Sequence, residues 1–425
     1  MKYNQWTVGL AAAGVISLGS FALGEESPGH VLTNLSQTRL GGYVDTSAIW
    51  KFGSGNGTIP GRSFDGAAKQ DGFNFNVAKV SLSKPLDEGN WAAGYHLDLL
   101  FGPDANGYNV STGGGSFGSA TSDFGVKQAY VAVRTPVGNG IDWKMGTFDS
   151  IIGYEVFESP NNPNYSRSYA WGLEPTQHTG LLATYQVSEM VSVAGGVANT
   201  AIAGINRRPV KGPPQGAFAN STESMKTYMG AITLELPEDY GFLGGSALYA
   251  GIVHGMGDNT QPFGPFALES NQQWYYAGAT FTTPVTGLTV GLAYDYRTGT
   301  VIDGTPIIGT GVRPSDSYAS AYGLYIGYEF TPEFTINARA EYVAASAGMI
   351  SGGLRPVAGV NNDEYIGVTV TADYRLWANV ISRLEFRWDG DITGGPVESI
   401  NNPPAPNSDP DLNAISLALN LIYQF

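Results

Sequence analysis

Three charged side chains lie close together in one long segment that has no repeating pattern: Glu155, Glu158 and Arg167, within residues 150–177. Opposite charges that face each other across a narrow, water-filled opening create a transverse field, which orders water and sorts solutes by charge. The same side chains could instead form a structural pair that ties the segment to a neighbouring wall. Both interpretations stay open, and we treat the three residues as candidates for a constriction.

Other kinds of chemistry find little support in the residue types. The chain has no Cys, which removes disulfides, thiolate nucleophiles and Cys-based metal sites. A metal site needs clustered ligands, whereas the four His residues are scattered along the sequence at His30, His96, His178 and His254. We therefore predict that the protein is not an enzyme and that it holds no cofactor and no metal ion.

The strands that must position the charges are recognisable by their alternation. From Arg39 to the C-terminus, about sixteen segments of roughly ten to fourteen residues alternate apolar with polar side chains, as strands that cross a membrane do. A Pro inside such a strand would remove a donor from the sheet, and none of the 24 Pro residues falls in one. The connections alternate between short and long, like the periplasmic turns and extracellular loops of a barrel. The sequence thus predicts an all-β fold, a transmembrane antiparallel up-and-down β-barrel.

The alternation also assigns faces to the charged residues. Arg383 and Arg387, for example, alternate with the apolar residues Leu384 and Phe386. Because an Arg or Lys on the lipid face costs about 2–4 kcal/mol at mid-bilayer, the charged set must face the lumen. Each of its members is either a solvated wall residue or a determinant of selectivity, and a register slip of one residue would invert the assignment. The candidates for lining the pore are Asp98, Lys144, Asp149, Asp295, Arg297, Arg339, Asp373, Arg375, Arg383 and Arg387.

The last strand has an apolar face that ends in an aromatic residue. Leu417, Leu419, Leu421, Tyr423 and Phe425 are separated by residues that are mostly small or polar. A barrel in lipid can leave no sheet edge unpaired, so this strand is predicted to pair with the first strand, residues 39–50. Its aromatic end, Tyr423 and Phe425, is a candidate signal for assembly into the membrane.

Composition and the N-terminus fit the same architecture. Charged residues make up 14% of the chain, against about 25% in soluble domains, yet nothing beyond the N-terminus approaches the roughly 18 apolar residues of a membrane helix. Residues 1–24 have a basic start, a short apolar core and small residues before Glu25, which predicts a signal peptide. Residues 25–38 then form a short periplasmic segment and residues 39–425 the outer-membrane barrel. Without Lys2, 21 basic residues face 37 acidic ones, which argues against nucleic acid as a partner.

Several short motifs resemble those of the OmpL-like β-barrel porin-2 family. The likeness runs from about Leu40 to Phe425. The motifs are Gly42-Tyr43-Val44-Asp45-Thr46, Gly146-Thr147-Phe148-Asp149, Gly153-Tyr154-Glu155, Asn164-Tyr165-Ser166-Arg167-Ser168 and His178-Thr179-Gly180. The resemblance implies a porin-like channel, supplies no catalytic residues and fixes no particular solute.

The expected function is therefore passive diffusion of small hydrophilic solutes or ions through a water-filled outer-membrane channel. By analogy with general porins, the third long loop, residues 150–177, is the one to fold inward. Expected partners are outer-membrane lipid and the barrel assembly machinery. Trimers are usual for sixteen-strand general porins, although no sequence signal marks one lipid-facing side as an interface. Two alternatives stay open: a non-conducting structural or surface-interaction barrel, and a soluble secreted β-propeller with carbohydrate-related activity.

Overall fold

Sixteen antiparallel strands close into one barrel. The computed structural model describes residues 38–52, 69–107, 123–201, 203–206, 210–211, 220–221, 225–256, 270–301, 317–346, 363–392 and 413–425. The barrel strands are β1 (Arg39–Phe52), β2 (Gly72–Lys84), β3 (Ala92–Phe101), β4 (Phe124–Thr135), β5 (Ile141–Asp149), β6 (Gln177–Gln186), β7 (Val191–Ala198), β8 (Thr227–Glu235), β9 (Ala247–Met256), β10 (Ser270–Thr282), β11 (Leu288–Val301), β12 (Ser317–Thr331), β13 (Phe334–Ala345), β14 (Asp363–Trp377), β15 (Val380–Asp391) and β16 (Asn413–Gln424). Each strand pairs with the next, and β16 pairs with β1. The predicted up-and-down barrel of about sixteen strands is confirmed, and the β-propeller alternative is wrong.

The closing pair joins the two ends of the chain. In the register of β1 with β16, Tyr43 lies opposite Gln424. The backbone N–H of Gly42 donates to the carbonyl of Phe425 at 3.0 Å, and the N–H of Phe425 donates back to Gly42 at 3.0 Å. The prediction that the last strand pairs with the first is therefore confirmed, and the C-terminal residue itself takes part in the closure.

The two faces of the sheet differ as the alternation predicts. On β16, Leu419, Leu421 and Tyr423 are exposed, whereas Asn420 and Ile422 between them are buried. An apolar outer face is stable against lipid, and a polar inner face is stable where water and other polar groups can reach it. None of the 24 Pro residues lies in a barrel strand, because a Pro there would remove a donor that lipid cannot replace.

Aromatic side chains form two rows on the outer face. At the short-turn end, the ring centroids of Tyr328 and Phe330 are 4.5 Å apart, and those of Phe330 and Phe334 are 5.7 Å apart. Nearer the long-loop end, the ring of Tyr322 lies 4.9 Å from that of Tyr294. Such rows mark the two membrane–water interfaces of a barrel, with the short turns on the periplasmic side.

Two β-bulges break the alternation next to the barrel interior. One lies between β1 and β2 after Asp45, and the other lies between β3 and β4 after Asp98. A bulge inserts one extra residue and so re-aims a side chain. In β4 the extra residue is Lys127, which is buried together with its neighbour Gln128. Two consecutive polar residues of this strand therefore face inward.

The remaining elements are small. Helix α1 is Pro103–Gly107, helix α2 is Tyr169–Leu173, and 3₁₀ turns lie at Ser159–Asn161 and Gly241–Leu243. A ribbon of Val210–Lys211 with Asn220–Ser221 lies between β7 and β8. No helix in the described part of the chain is long and apolar enough to cross a membrane. The predicted signal peptide (residues 1–24) and all but the last residue of the predicted segment 25–38 lie outside the described residues.

Candidate functional site

The segment between β5 and β6, residues 150–176, enters the barrel, and we name it the lumen loop. It contacts walls that lie far apart around the barrel. Tyr165 donates from its hydroxyl to Ser47 Oγ of β1 at 3.0 Å, and Trp274 of β10 donates from Nε1 to the carbonyl of Leu173 at 2.7 Å. Nearly all loop residues are buried. The predicted inward fold of the third long loop is therefore what the structure shows.

The loop carries its own local scaffold. Three prolines, the first of them Pro160 at the 3₁₀ turn, exclude a regular strand here. Asn162 braces the turn, because its side chain accepts from Val156 N at 2.9 Å and donates to the carbonyl of Val156 at 2.6 Å. Ser168 caps helix α2 by accepting from Trp171 N at 3.1 Å. The segment is therefore folded from within before it meets the wall.

Arg339 of β13 is the main link between the wall and the lumen loop. It donates from Nη1 to Glu155 Oε1 at 2.9 Å and to the carbonyl of Ser166 at 2.7 Å, and it also pairs with Glu341 of its own strand. Tyr325 of β12 donates to the same oxygen of Glu155 at 3.1 Å. Arg339 and Glu155 are buried, so the pair is shielded from solvent and from salt screening.

Two further wall residues bind the backbone of the loop rather than its side chains. Glu385 of β15 accepts from the backbone N–H groups of Tyr165 at 2.6 Å and Ser166 at 2.9 Å. Arg383 of the same strand donates to the carbonyls of Ser159 at 2.9 Å and Asn162 at 2.8 Å. These charge-assisted bonds satisfy backbone groups that would otherwise be buried without partners.

On the opposite side, the loop meets two lysines through Glu158. Its carboxylate lies 2.5 Å from Lys79 Nζ of β2 and 3.0 Å from Lys127 Nζ of β4. Burial by itself would raise the pKa of Glu158, but the attraction of Lys127 and Lys79 outweighs burial and lowers this pKa to about 2. Sequence alternation does not identify Lys127 as an inner residue, because the bulge in β4 turns it inward.

Arg167 lies inside the loop rather than across an opening from Glu155. Its guanidinium donates to the carbonyls of Tyr165 at 2.8 Å and Phe157 at 2.6 Å, while the carboxylate of Glu155 accepts from Ser168 N at 2.9 Å. The geometry differs from the expectation of two charges on opposite sides of an eyelet. In these contacts Glu155 ties the loop to the wall and Arg167 braces it from within, and any part of Glu155, Glu158 or Arg167 in a constriction stays a prediction.

The predicted pore-lining residues lie on the inner side of the barrel at several heights. Those that are buried are Asp98, Asp149, Asp295, Arg339, Asp373, Arg383 and Arg387. Lys144, Arg297 and Arg375 are partly buried. The structure brings Arg339 and Arg383 to the lumen loop and joins Asp373 to Arg383 at 2.8 Å. Whether any of the ten selects solutes stays a prediction. Sequence reasoning also left Lys79, Glu341 and Glu385 out of this set.

The half of the lumen formed by β5 to β12 is apolar. Ile151, Ile152 and Tyr154 from the start of the loop pack there against inner residues such as Tyr249 and Val253. The ring of Tyr154 also stacks on that of Tyr325, with centroids 4.3 Å apart. The lumen loop therefore has one apolar edge and one edge held by ion pairs, and each edge matches the wall that it contacts.

The histidines are not brought together. His96 lies 3.0 Å from Asp98, His178 is buried beside the carbonyl of Thr200, and His254 contacts Asn271, while His30 lies outside the described residues. In the part of the chain that the structure describes, no group of three or more His, Asp or Glu residues could hold a metal ion.

Solved structures with this fold are outer-membrane proteins. The anion-selective porin of Comamonas acidovorans superposes with a TM-score of 0.54 at 11% identity, over 91% of this chain and 99% of that one. Salmonella typhi OmpF in complex with daunomycin gives 0.53 at 12% identity, over 93% and 99%. The trimer form of Vibrio cholerae OmpT gives 0.54 at 11% identity, over 91% and 99%. At these identities the likeness shows the fold. No curated protein matches the sequence.

A family model matches almost the whole barrel, residues 37–425, and its description is "Putative beta-barrel porin-2, OmpL-like". The match extends from just before β1 to the C-terminal Phe425 and includes the lumen loop. Fold and family are those of a channel rather than of an enzyme. The closed barrel, its apolar outer face and this match place the chain in the outer membrane as an integral β-barrel. The chain belongs to the OmpL-like β-barrel porin-2 family of outer-membrane porins.

Proposed function

We propose that this porin conducts small hydrophilic solutes and ions by passive diffusion, and that the lumen loop forms its constriction. The observation that carries the proposal is the position of the loop, which lies inside a closed barrel and contacts charged wall residues on two sides, at Arg339 and at Lys79. A loop at this position narrows the path, and the charges around it act on solutes at short range.

Uncompensated acidic groups inside the barrel support a mild cation preference. Glu385 is held by backbone N–H groups and the hydroxyl of Thr371 rather than by a cation. Asp45 accepts from the side-chain amides of Asn76 at 2.9 Å and Asn420 at 2.6 Å. Two inner cations lean on aromatic rings, Lys144 among them, and they offset part of this charge, so the preference is mild.

The assembly that we propose is a homotrimer in outer-membrane lipid, inserted by the barrel assembly machinery with Tyr423 and Phe425 as the signal. The support is the trimer form of the structurally similar Vibrio cholerae OmpT and the exposure of both aromatic side chains on the outer face. Chemical cross-linking of the protein in outer-membrane fragments should then give a ladder that ends at three copies.

Conductance in a planar bilayer tests the channel. The refolded protein should insert with stepwise current increases in KCl, and a salt gradient should give a reversal potential of cation-selective sign. Flat traces from several preparations, each with a folded barrel verified by its heat-dependent gel mobility, would instead favour the non-conducting barrel, for which the close packing of the lumen loop is the supporting observation.

Charge changes at the lumen loop test the constriction. Reversal of Arg167 or Glu155 should shift the reversal potential if either charge lies along the path of the ions. The neutral variants Arg167→Gln and Glu155→Gln keep the test available where reversal prevents folding. An unchanged potential in all four variants would leave these residues as structural ties, and the selectivity would have to come from elsewhere in the lumen.

A further inference from the structure

Two acidic side chains meet where the lumen loop returns to the wall. Glu174 follows helix α2, and its carboxyl group forms a side-chain hydrogen bond with Asp295 of β11. Asp295 is 4% exposed. Among the described residues, neither carboxyl group has an ion pair with Lys or Arg, and the next acidic group that acts on both is Glu155. Two buried carboxyl groups in contact cannot both stay ionised without a positive group between them.

The backbone holds Glu174 in this position. Gly153 has a φ of 122°, and a Cβ placed on it would lie 2.1 Å from Glu174 Oε2. The backbone N–H of Tyr154 donates to the carboxylate of Glu174. A left-handed Gly and a directed N–H therefore fix one carboxyl group against the other, which is more than chance contact between two loop residues would provide.

A cation lies beside the acidic pair without neutralising it. Arg297 is two residues along β11 from Asp295, on the same inner face and about 6.7 Å away along the strand. Its guanidinium lies 5.3 Å from the ring centroid of Trp274 and donates to Gln272 at 3.0 Å. Trp274 is in turn bonded to the carbonyl of Leu173. The cation and the two acids thus surround one point between the loop and the wall.

Several polar atoms around this point are buried without a hydrogen-bond partner: Glu174 Oε1, Asp295 Oδ2, Arg297 Nε and the hydroxyl of Tyr276. Tyr276 lies opposite Asp295 in the register of β10 with β11. Unsatisfied buried groups are rare, and a concentration of them calls for a bound water, ion or ligand. Gly172 is exposed, and Glu174 and Arg297 are partly exposed, so the lumen gives access to this point.

We propose that Glu174, Asp295 and Arg297 form a solute subsite for small zwitterions that carry a primary ammonium and a carboxylate, such as free amino acids. The proposal rests on the proposed function as a solute channel. The ammonium would lie between Glu174 and Asp295, where its N–H groups meet the free carboxylate oxygens. The carboxylate would accept from Arg297 Nε beside the ring of Trp274.

The state of the empty subsite agrees with this assignment. Burial, followed by the repulsion of Asp295, raises the pKa of Glu174 well above its usual value. Without a ligand, the acidic pair therefore retains a proton. An ammonium ion supplies the positive charge that this proton otherwise provides, and it satisfies more of the free oxygen atoms than one proton can.

Calorimetry on the detergent-solubilised barrel tests the subsite without depending on conductance. The probes are ω-amino acids from glycine to 4-aminobutyrate, with methylamine and acetate as ligands that each carry one charge. The wild type should bind at least one amino acid, and it should bind methylamine and acetate at least about tenfold more weakly, because each lacks one charge-assisted contact. Asp295→Asn and Arg297→Gln should each weaken amino-acid binding by about tenfold or more.

Lys144→Gln is the matched control, because Lys144 is an inner cation on β5 that does not contact this site; it should leave binding unchanged. Heat-dependent gel mobility verifies that each variant is folded. Absence of binding for the whole series, equal binding by Asp295→Asn and wild type, or equal affinity for methylamine and the amino acids would each overturn the subsite. Stepwise conductance in KCl reports separately on the channel, so a failed subsite and a failed channel are distinguishable.

Discussion

Arg339 and Glu155 are 184 positions apart in the sequence, yet the guanidinium of one donates to the carboxylate of the other at 2.9 Å inside the barrel. Arg339 belongs to a wall strand and Glu155 to the lumen loop. Both are buried, and the carbonyl of Ser166 and the carboxylate of Glu341 complete the surroundings of the guanidinium. This contact fixes the position of the loop across the lumen.

Arg339→Gln should destabilise the protein strongly. Removal of one partner from a buried ion pair typically costs about 3–5 kcal/mol, because the remaining charge stays buried without compensation. Here two carboxylates, Glu155 and Glu341, would lose their partner. Urea unfolding in lipid vesicles measures the loss. Arg134→Gln breaks a pair with Asp142 that is partly exposed, and this control should lose only about 0–1 kcal/mol. Equal losses in both variants would contradict the importance that we assign to Arg339.

Gly153→Ala should disturb the lumen loop. Gly153 has a φ of 122°, and a Cβ there would lie 2.1 Å from Glu174 Oε2, so the substitution adds both backbone strain and a clash. Such strain costs about 1–3 kcal/mol. Protease sensitivity of the loop and urea unfolding both report on it. In Gly195→Ala, the nearest atom to the new Cβ would be 4.0 Å away, so this control should behave like wild type; a similar loss in both variants would refute the argument.

The contribution of Glu158 to stability should depend on pH in a defined direction. Its pKa in the folded protein is lowered from 4.5 to about 2, so folding favours the ionised form. The stabilisation is therefore complete above pH 4.5 and is lost as the pH falls from there towards 2. The difference in unfolding free energy between wild type and Glu158→Gln should be constant between pH 7 and pH 5 and should shrink below pH 4.5. A difference that grows on acidification has the opposite sign and would exclude this account.

Deletion of Phe425 should hinder membrane assembly more than it alters conductance. The deletion removes an exposed aromatic side chain and also two backbone hydrogen bonds to Gly42. Phe425→Ala removes only the side chain, so the two variants separate the assembly signal from barrel closure. The folded fraction in outer membranes, read from heat-dependent gel mobility, should fall in both variants. Normal assembly of Phe425→Ala would show that the side chain is not the signal.

The sequence by itself determines the barrel. Strand alternation is a local property, and lipid makes it decisive, because a charged side chain on the outer face costs several kcal/mol and an unpaired sheet edge cannot be hydrated. The strand number, the pairing of the last strand with the first and the outward face of Leu419 and Leu421 could therefore be predicted. The absence of Pro from every strand follows from the same constraint.

Only the tertiary structure decides what the inner residues contact. The lumen loop contains three prolines and no periodic pattern, so nothing local shows that Glu155 meets Arg339 rather than Arg167, or that Glu174 meets Asp295. These partners are set by barrel closure and strand register, which bring distant positions to the same height. Lys127 was beyond alternation for a related reason: a single bulge turns it inward, and a bulge depends on the neighbouring strand as much as on its own.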